Sequence, residues 1–257
     1  MIWDKFIYFA LASIVFWCVA AVFLYFAKKK TATHFLVGAG LIVFFSFIVL
    51  LWCENGYPPF RTVGETRLWY SLFLIIVGYI IWLRWGYKWI LSYSVIVASV
   101  FVIINLLKPE IHSSGLIPAL QSFWFVPHVI VYILSYALMG AAVIAAFVAL
   151  AGGEKKDVEL TPLIDNLVNT GMGLLLMGIL MGAVWAKEAW GDYWTWDLKE
   201  IWAFITALTY LIYIHLRRMN YNRKISFLVI IIAFVMLMIT WLGVGYLPSA
   251  GQSIHTY

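Results

Sequence analysis

The sequence predicts an all-α integral membrane protein, a bundle of about eight transmembrane helices with both termini on the outer side. Hydrophobic residues make up 65% of the 257 residues and charged residues only 11%, whereas soluble domains hold about 25% charged residues. The apolar residues form long runs that lack the one-sided stripe of a soluble helix. The basic residues cluster in the short intervals between these runs, as is typical of membrane proteins.

Eight apolar runs approach the roughly 20 residues that a membrane helix needs. In chain order they cover residues 6–26, 35–53, 68–83, 89–107, 125–150, 167–186, 201–216 and 225–243. The first run is predicted to be a retained helix, because the lysines at 28–30 follow it and a secretory signal has its positive charge in front. The polar interval 152–166 is predicted to be a cytoplasmic loop within a single membrane domain over residues 1–257.

The basic residues also predict the orientation of the bundle. Eleven of the seventeen Lys and Arg residues lie in one set of intervals and six in the other set. The richer set marks the cytoplasmic side, so an even number of spans places both termini outside. The segment 185–200 and the tail 244–257 then face outward. We expect a multi-pass protein of a bacterial inner membrane, with these segments in the periplasm.

The charge and the cysteines argue against several other classes of function. The net charge of +5 reflects basic intervals beside membrane lipids, so nucleic-acid binding is not predicted. Cys18 and Cys53 are the only cysteines, and Cys18 lies in mid-span. A disulfide framework, a CxxC redox pair and a structural zinc site therefore lack support.

The segment 185–200, WAKEAWGDYWTWDLKE, is the most informative part of the chain. It holds four tryptophans, one tyrosine and four carboxylates. Tryptophans near a membrane surface ordinarily anchor helices at the head groups, but this segment is too dense and too polar for anchoring alone. It predicts a binding surface for a large, flat, apolar ligand.

The positions of the histidines suggest what that ligand is. His128 begins the fifth run and His255 lies in the outer tail, both on the side of the aromatic segment. Two imidazoles beside an aromatic platform are typical of a haem site, although their separation in sequence is not diagnostic. His215 lies about one turn inside the cytoplasmic surface, where an ionisable side chain indicates function. His34 and His112 are interpreted as interfacial residues. The basic residues available for the haem propionates on the outer face are Arg61, Arg67, Lys187 and Lys199.

Several of these segments resemble one family. Residues 190–197, WGDYWTWD, resemble the tryptophan-rich "WWD" motif of haem-handling cytochrome c assembly proteins, and LKE at 198–200 is close to the WDPKE continuation of the CcsA branch. Leu198 stands where that branch usually has proline. The segment 118–137 and the histidine segment 253–257 are similar as well, so the resemblance extends from about residue 55 to the end.

The resemblance implies a protein that moves haem b to the outer face and presents it to the CxxCH motif of apocytochrome c. It implies a CcsB/ResB-like membrane partner, with which haem–cysteine thioether formation (holocytochrome c synthase activity) would arise. His128 and His255 would ligate the outer haem iron, and His215 would bind haem in transit. The haem-binding residues of the motif would be Trp190, Gly191, Tyr193, Trp194, Trp196 and Asp197.

Two expectations concern the local structure of this motif. If residues 190–200 are helical, Trp190, Trp194 and Asp197 share one face. Asp197 and Glu200 are expected to orient backbone or basic neighbours and not to bind iron.

Three alternatives remain open at this point. A CcmC-like protein uses a similar motif but delivers haem to a chaperone, and it typically has six spans. A transporter with an aromatic gate would place charges or broken helices at mid-span. A structural scaffold of a respiratory complex would bind no chromophore.

Overall fold

The computed structural model describes residues 2–27, 30–109, 112 and 118–247. Every regular element within these ranges is helical, which confirms the predicted all-α class. The chain divides into two compact units, Met1–Gly115 and Leu116–Tyr257, where the sequence predicted one domain.

The first unit is built from four long helices. They are α1 (Phe6–Val22), which continues as a π-helical turn over Phe23–Ala27, α2 (Lys30–Asn55), α3 (Val63–Trp85) and α4 (Lys88–Leu107). The rings of Trp17, Phe44 and Phe47 are fully buried in its core. Helices α3 and α4 approach closely at Gly78, where a Cβ atom would lie 2.3 Å from Ser94 Oγ.

The second unit begins with a helical segment, α5 (Phe125–Trp190), which bends back on itself. Gly153 interrupts it with φ 72° and ψ −171°, a backbone conformation that is essentially restricted to glycine. The parts before and after this residue, 125–152 and 154–190, run antiparallel. Ser135 Oγ donates to Gly171 O at 2.7 Å, and His128 Nδ1 lies 2.8 Å from Gly178 O. We call these parts the first and second legs.

The predicted loop over 152–166 is wrong, since these residues are helical except at Gly153. The polarity of the segment indicates contact with water, and water-exposed helices are polar too. Lys156 and Glu159, one helical turn apart, form an ion pair at 2.7 Å, the kind of pair that supports an exposed helix. The loop is therefore reduced to the turn at Gly153.

Two further helices complete the second unit, α6 (Leu198–Arg218) and α7 (Arg223–Met238). Asn222 caps α7, and its side-chain oxygen accepts from Lys224 N at 3.0 Å and Ile225 N at 3.4 Å. Helix α7 continues through a π-helical turn over Ile239–Gly243 and ends in a 3-10 turn at Val244–Tyr246.

Six helical segments in the described part of the chain are long and apolar enough to cross a membrane. They are Ile2–Phe26, Lys30–Asn55, Val63–Trp85, Lys88–Leu107, Phe125–Trp190 and Arg223–Tyr246. The sequence predicted eight spans. Two of the eight predicted spans lie in α5, which is one continuous helical segment by its hydrogen bonds and is therefore counted once. One further predicted span lies in α6, which is not among the six.

Candidate haem-binding site

His128 lies at the start of the first leg in an environment that fixes its ring. Because a carbonyl oxygen can only accept, the 2.8 Å contact means that His128 Nδ1–H donates to Gly178 O. The lone pair of the neutral ring is then on Nε2, the arrangement in which a histidine can ligate a metal. The ring also stacks on Trp185 with centroids 5.5 Å apart and meets Tyr132 edge-on at 4.6 Å.

Gly182 provides the space that this imidazole occupies. A Cβ atom at this position would lie 2.5 Å from Cε1 and 2.7 Å from Nδ1 of His128, closer than non-bonded atoms can approach. The second leg therefore positions the ring from two points, the carbonyl of Gly178 and the missing side chain of Gly182. Sequence reasoning identified His128 but missed both glycines.

His215 lies near the C-terminal end of α6 and is exposed. Its Nδ1–H donates to Leu211 O, one turn earlier, at 2.8 Å, so its Nε2 also holds the lone pair. Leu208, Leu211 and Ile212 share its face of the helix and are exposed as well. His215 is therefore an ionisable side chain on an apolar, exposed face of α6.

The other histidines fall into two groups. His255 lies outside the described residues. His34 and His112 belong to the first unit, where His34 contacts the Tyr79 hydroxyl at 2.8 Å and His112 stacks on Trp3 at 3.7 Å. These contacts agree with their interpretation as packed interfacial residues. No group of three or more His, Cys, Asp or Glu side chains suited to a metal occurs in the part of the chain that the structure describes.

Residues 191–197 of the tryptophan-rich segment are not helical, so the condition under which Trp190, Trp194 and Asp197 would share one helical face is not met. Helix α5 ends at Trp190 because Gly191 adopts the left-handed conformation with φ 93°, a common helix ending. Helix α6 does not begin until Leu198. Trp196, between them, also has a positive φ of 58°, which is uncommon for a bulky residue.

The carboxylates of the segment organise this backbone, as expected. Asp197 and Glu200 form a capping box at the start of α6. The Glu200 carboxylate accepts from Asp197 N at 3.0 Å and from Thr195 N at 2.8 Å, and Asp197 Oδ1 accepts from Lys199 N at 3.1 Å. Both acids are buried. Their hydrogen bonds hold the aromatic residues between the two helices in place.

Two sets of ring contacts occur among the described aromatic side chains of the segment. Trp190 packs edge-on against Trp185 at 4.7 Å and so belongs with His128. Trp194 and Trp196 contact each other at 5.8 Å, and Trp196 meets Phe204 of α6 at 6.0 Å. Tyr193 and Trp196 are the most exposed rings of the segment, at 59% and 62%.

Two basic residues lie in this segment. Lys187 Nζ donates to Gly191 O and lies 5.5 Å from the centre of the Tyr193 ring. Lys199 lies in the first turn of α6, where its backbone N–H donates to Asp197 Oδ1 at 3.1 Å. Arg61 and Arg67 belong to the first unit, where the Arg61 guanidinium lies 3.7 Å above the Tyr57 ring.

Comparisons with known proteins identify the family. The model of the family described as "Cytochrome C assembly protein" matches residues 62–250. A "Cytochrome c biogenesis protein CcsA" of Trachelium caeruleum is 32% identical, in an alignment that covers 90% of this chain and 85% of the relative. Proteins of the same description from Mesostigma viride (35% identical, 57% of this chain and 58% of the relative) and Chlamydomonas reinhardtii (29%, 90% and 69%) are also similar. The chain therefore belongs to the cytochrome c assembly family, in its CcsA branch.

Proposed function

We propose that this protein binds haem b at the outer membrane face and presents it to apocytochrome c. It would act as the CcsA subunit of a cytochrome c synthase, together with a CcsB/ResB-like partner. Family membership supports a role in cytochrome c maturation. The orientation of His128, with Nδ1–H on Gly178 O, is the single observation that best supports haem ligation, because it leaves the lone pair on Nε2.

The proposal includes eight spans, with both termini outside. Each leg of α5 and the 21-residue helix α6 has the length that a bilayer requires, so the legs and α6 would raise the count from six to eight. The basic residues then put the turn at Gly153 in the cytoplasm and residues 185–200 outside. In a bacterium this arrangement corresponds to an inner-membrane protein with its haem site facing the periplasm.

The protein's part in the chemistry would be positioning. A cysteine thiol of the CxxCH motif adds across a haem vinyl group: a carbon–sulfur bond forms, the proton goes to the other vinyl carbon, and no net oxidation occurs. The reactive groups belong to haem and apocytochrome, so His128, His255 and the residues of the WWD motif would hold the ring in reach of the thiol. The histidine of CxxCH could then replace one axial histidine.

His215 would serve haem in transit within the membrane. Its exposed position beside Leu211 and Ile212 fits a ligand shared with a second chain better than an enclosed site of this chain. We therefore assign this face of α6 to the CcsB/ResB-like partner. The CcmC-like alternative loses support because the relatives described above are CcsA proteins.

The absorption spectrum of the purified protein tests the axial assignment. We expect low-spin haem in the wild type, with and without the partner, and loss of that spectrum in His128→Ala and in His255→Ala. Added imidazole should restore it to His128→Ala, because a free imidazole can occupy the vacated position. His112→Ala, which removes a histidine that stacks on Trp3, is the matched control. A low-spin spectrum that persists in both His128→Ala and His255→Ala would sink the assignment.

A further inference from the structure

A cavity of about 590 Å³ lies at the end of the second unit where the chain turns at Gly153. The beginning of the second leg and the connection between α6 and α7 form its walls. The lining residues that matter here are Glu154, Asp157, Arg217, Asn222, Arg223 and Lys224. The second leg separates this cavity from Trp185, 28 residues further along, by roughly 40 Å at 1.5 Å per residue. It is therefore distinct from the aromatic segment.

Asp157 is the residue that points to a ligand. Its side chain is only 4% exposed, and Oδ1 has no hydrogen-bond partner among the described residues. A buried carboxylate oxygen without a donor is costly, and such groups in native proteins call for an explanation. A donor on a bound molecule would satisfy this oxygen.

Two of the other polar residues are already engaged. Arg217 binds both oxygens of Asp165, with Nε–Oδ1 at 3.0 Å and Nη2–Oδ2 at 3.2 Å. The Asn222 side chain caps α7. Neither group is the main source of charge for a ligand.

Four charged side chains remain, two of each sign. Glu154 and Asp157 are anionic, and Arg223 and Lys224 are cationic. None of the four forms a side-chain ion pair with another residue in the ranges that the structure covers. A purely anionic ligand would place negative charge against the two carboxylates, and a purely cationic ligand would oppose the two basic groups. A molecule with one positive and one negative charge can pair with both the carboxylates and the basic side chains.

We propose that this cavity binds a zwitterionic phosphate ester with a primary ammonium group. The ammonium donates to the carboxylates of Asp157 and Glu154, and the phosphate oxygens accept from Arg223 and Lys224. The same chemistry occurs in an aminophospholipid head group and in free phosphoethanolamine. We favour the lipid because the cavity lies just beyond the ends of the apolar runs 125–150 and 201–216, where head groups are found.

Lipid binding to the full-length protein, measured by native mass spectrometry after delipidation, tests the proposal. Phosphatidylethanolamine should bind about tenfold more tightly than phosphatidylcholine with the same acyl chains, since a quaternary ammonium has no N–H to donate. Phosphatidylglycerol, which lacks the cation, should bind no better than phosphatidylcholine. The Asp157→Asn variant should lose this preference. Glu159→Gln, an exposed carboxylate of the same leg that pairs with Lys156, should keep it.

Two further measurements show whether the protein recognises the intact lipid or the head group alone, and keep the test valid if the Asp157→Asn variant folds poorly. Competition by free phosphoethanolamine would support recognition of the head group alone, whereas lipid binding that resists it would support recognition of the intact lipid. Glu154→Gln changes an exposed residue and should weaken the preference even if Asp157→Asn folds poorly. Equal binding of the three lipids, or an unchanged preference in Asp157→Asn, would overturn the proposal. The outcome is independent of haem binding.

Discussion

Gly182→Ala is the sharpest test of how the second leg positions His128. The added methyl would lie 2.5 Å from Cε1, and ordinary contact begins near 3.4 Å. The imidazole must therefore move by about 0.9 Å. Such a shift stretches or breaks the 2.8 Å hydrogen bond to Gly178 O.

The substitution should affect both the fold and the site. Losing the hydrogen bond costs about 1 kcal/mol and crowding costs about 1–3 kcal/mol. Alanine regains up to about 1 kcal/mol over glycine inside a helix. The free energy of unfolding should consequently fall by about 1–4 kcal/mol. Haem affinity should fall by roughly 10–100-fold, the usual effect of disturbing a group that orients a metal-bound histidine.

Haem titration of the purified protein, followed by the Soret absorbance, measures the affinity, and thermal unfolding checks the fold. Gly173→Ala is the matched control, because it lies on the same leg and a Cβ atom there meets nothing within 4 Å. It should bind haem like the wild type. If Gly182→Ala is folded and binds haem with unchanged affinity and spectrum, then His128 does not ligate haem in the position described here.

Two further predictions concern the backbone. Leu198→Pro should leave thermal stability nearly unchanged, because Leu198 is the first residue of α6 and Asp197 before it already has φ −58° and ψ 155°. Ile201→Pro should lower stability by about 3 kcal/mol, since its amide donates to Asp197 O at 2.9 Å; equal stability of the two proline variants would contradict this account. Gly153→Ala should cost about 1–3 kcal/mol in the same assay, because φ 72° with ψ −171° excludes a side chain. If Gly153→Ala is as stable as Gly173→Ala, this prediction is contradicted.

The apolar runs of the sequence located the helices well but not their ends. The run predicted at 68–83 belongs to a helix over Val63–Trp85. Its first turn is polar because Thr62 and Glu65 form a capping box, with Glu65 N donating to Thr62 Oγ1 at 3.0 Å. Hydropathy measures transfer to an apolar phase and does not respond to caps, so polar helix ends were left out. The same limit explains the loop wrongly predicted at 152–166.

The contacts around His128 could not be predicted before the pairing of the two legs was known. Three glycines of the second leg each leave room for a side chain of the first leg: Gly171, Gly178 and Gly182. The side chain that lies against Gly182 is that of His128. The spacing of the three glycines, seven and four residues, places them on one helical face, a common arrangement where membrane helices approach closely. That pattern was visible in the sequence. Its meaning depends on the reversal at Gly153, which sets the register of the legs.

We propose different roles for the aromatic residues of segment 185–200. Trp185 is 3% exposed, donates Nε1–H to Ala119 O at 2.8 Å and packs on His128, so we assign it to positioning the imidazole. The carboxylates of Asp197 and Glu200 accept hydrogen bonds from backbone amides. Tyr193 and Trp196 remain as the exposed rings, and Trp196 is held at a positive φ, a strained conformation that the capping box beside it stabilises and that often marks a functional position. We infer that Trp196 and Tyr193 contact the haem ring, and that Trp185 and Trp190 set the geometry of its ligand.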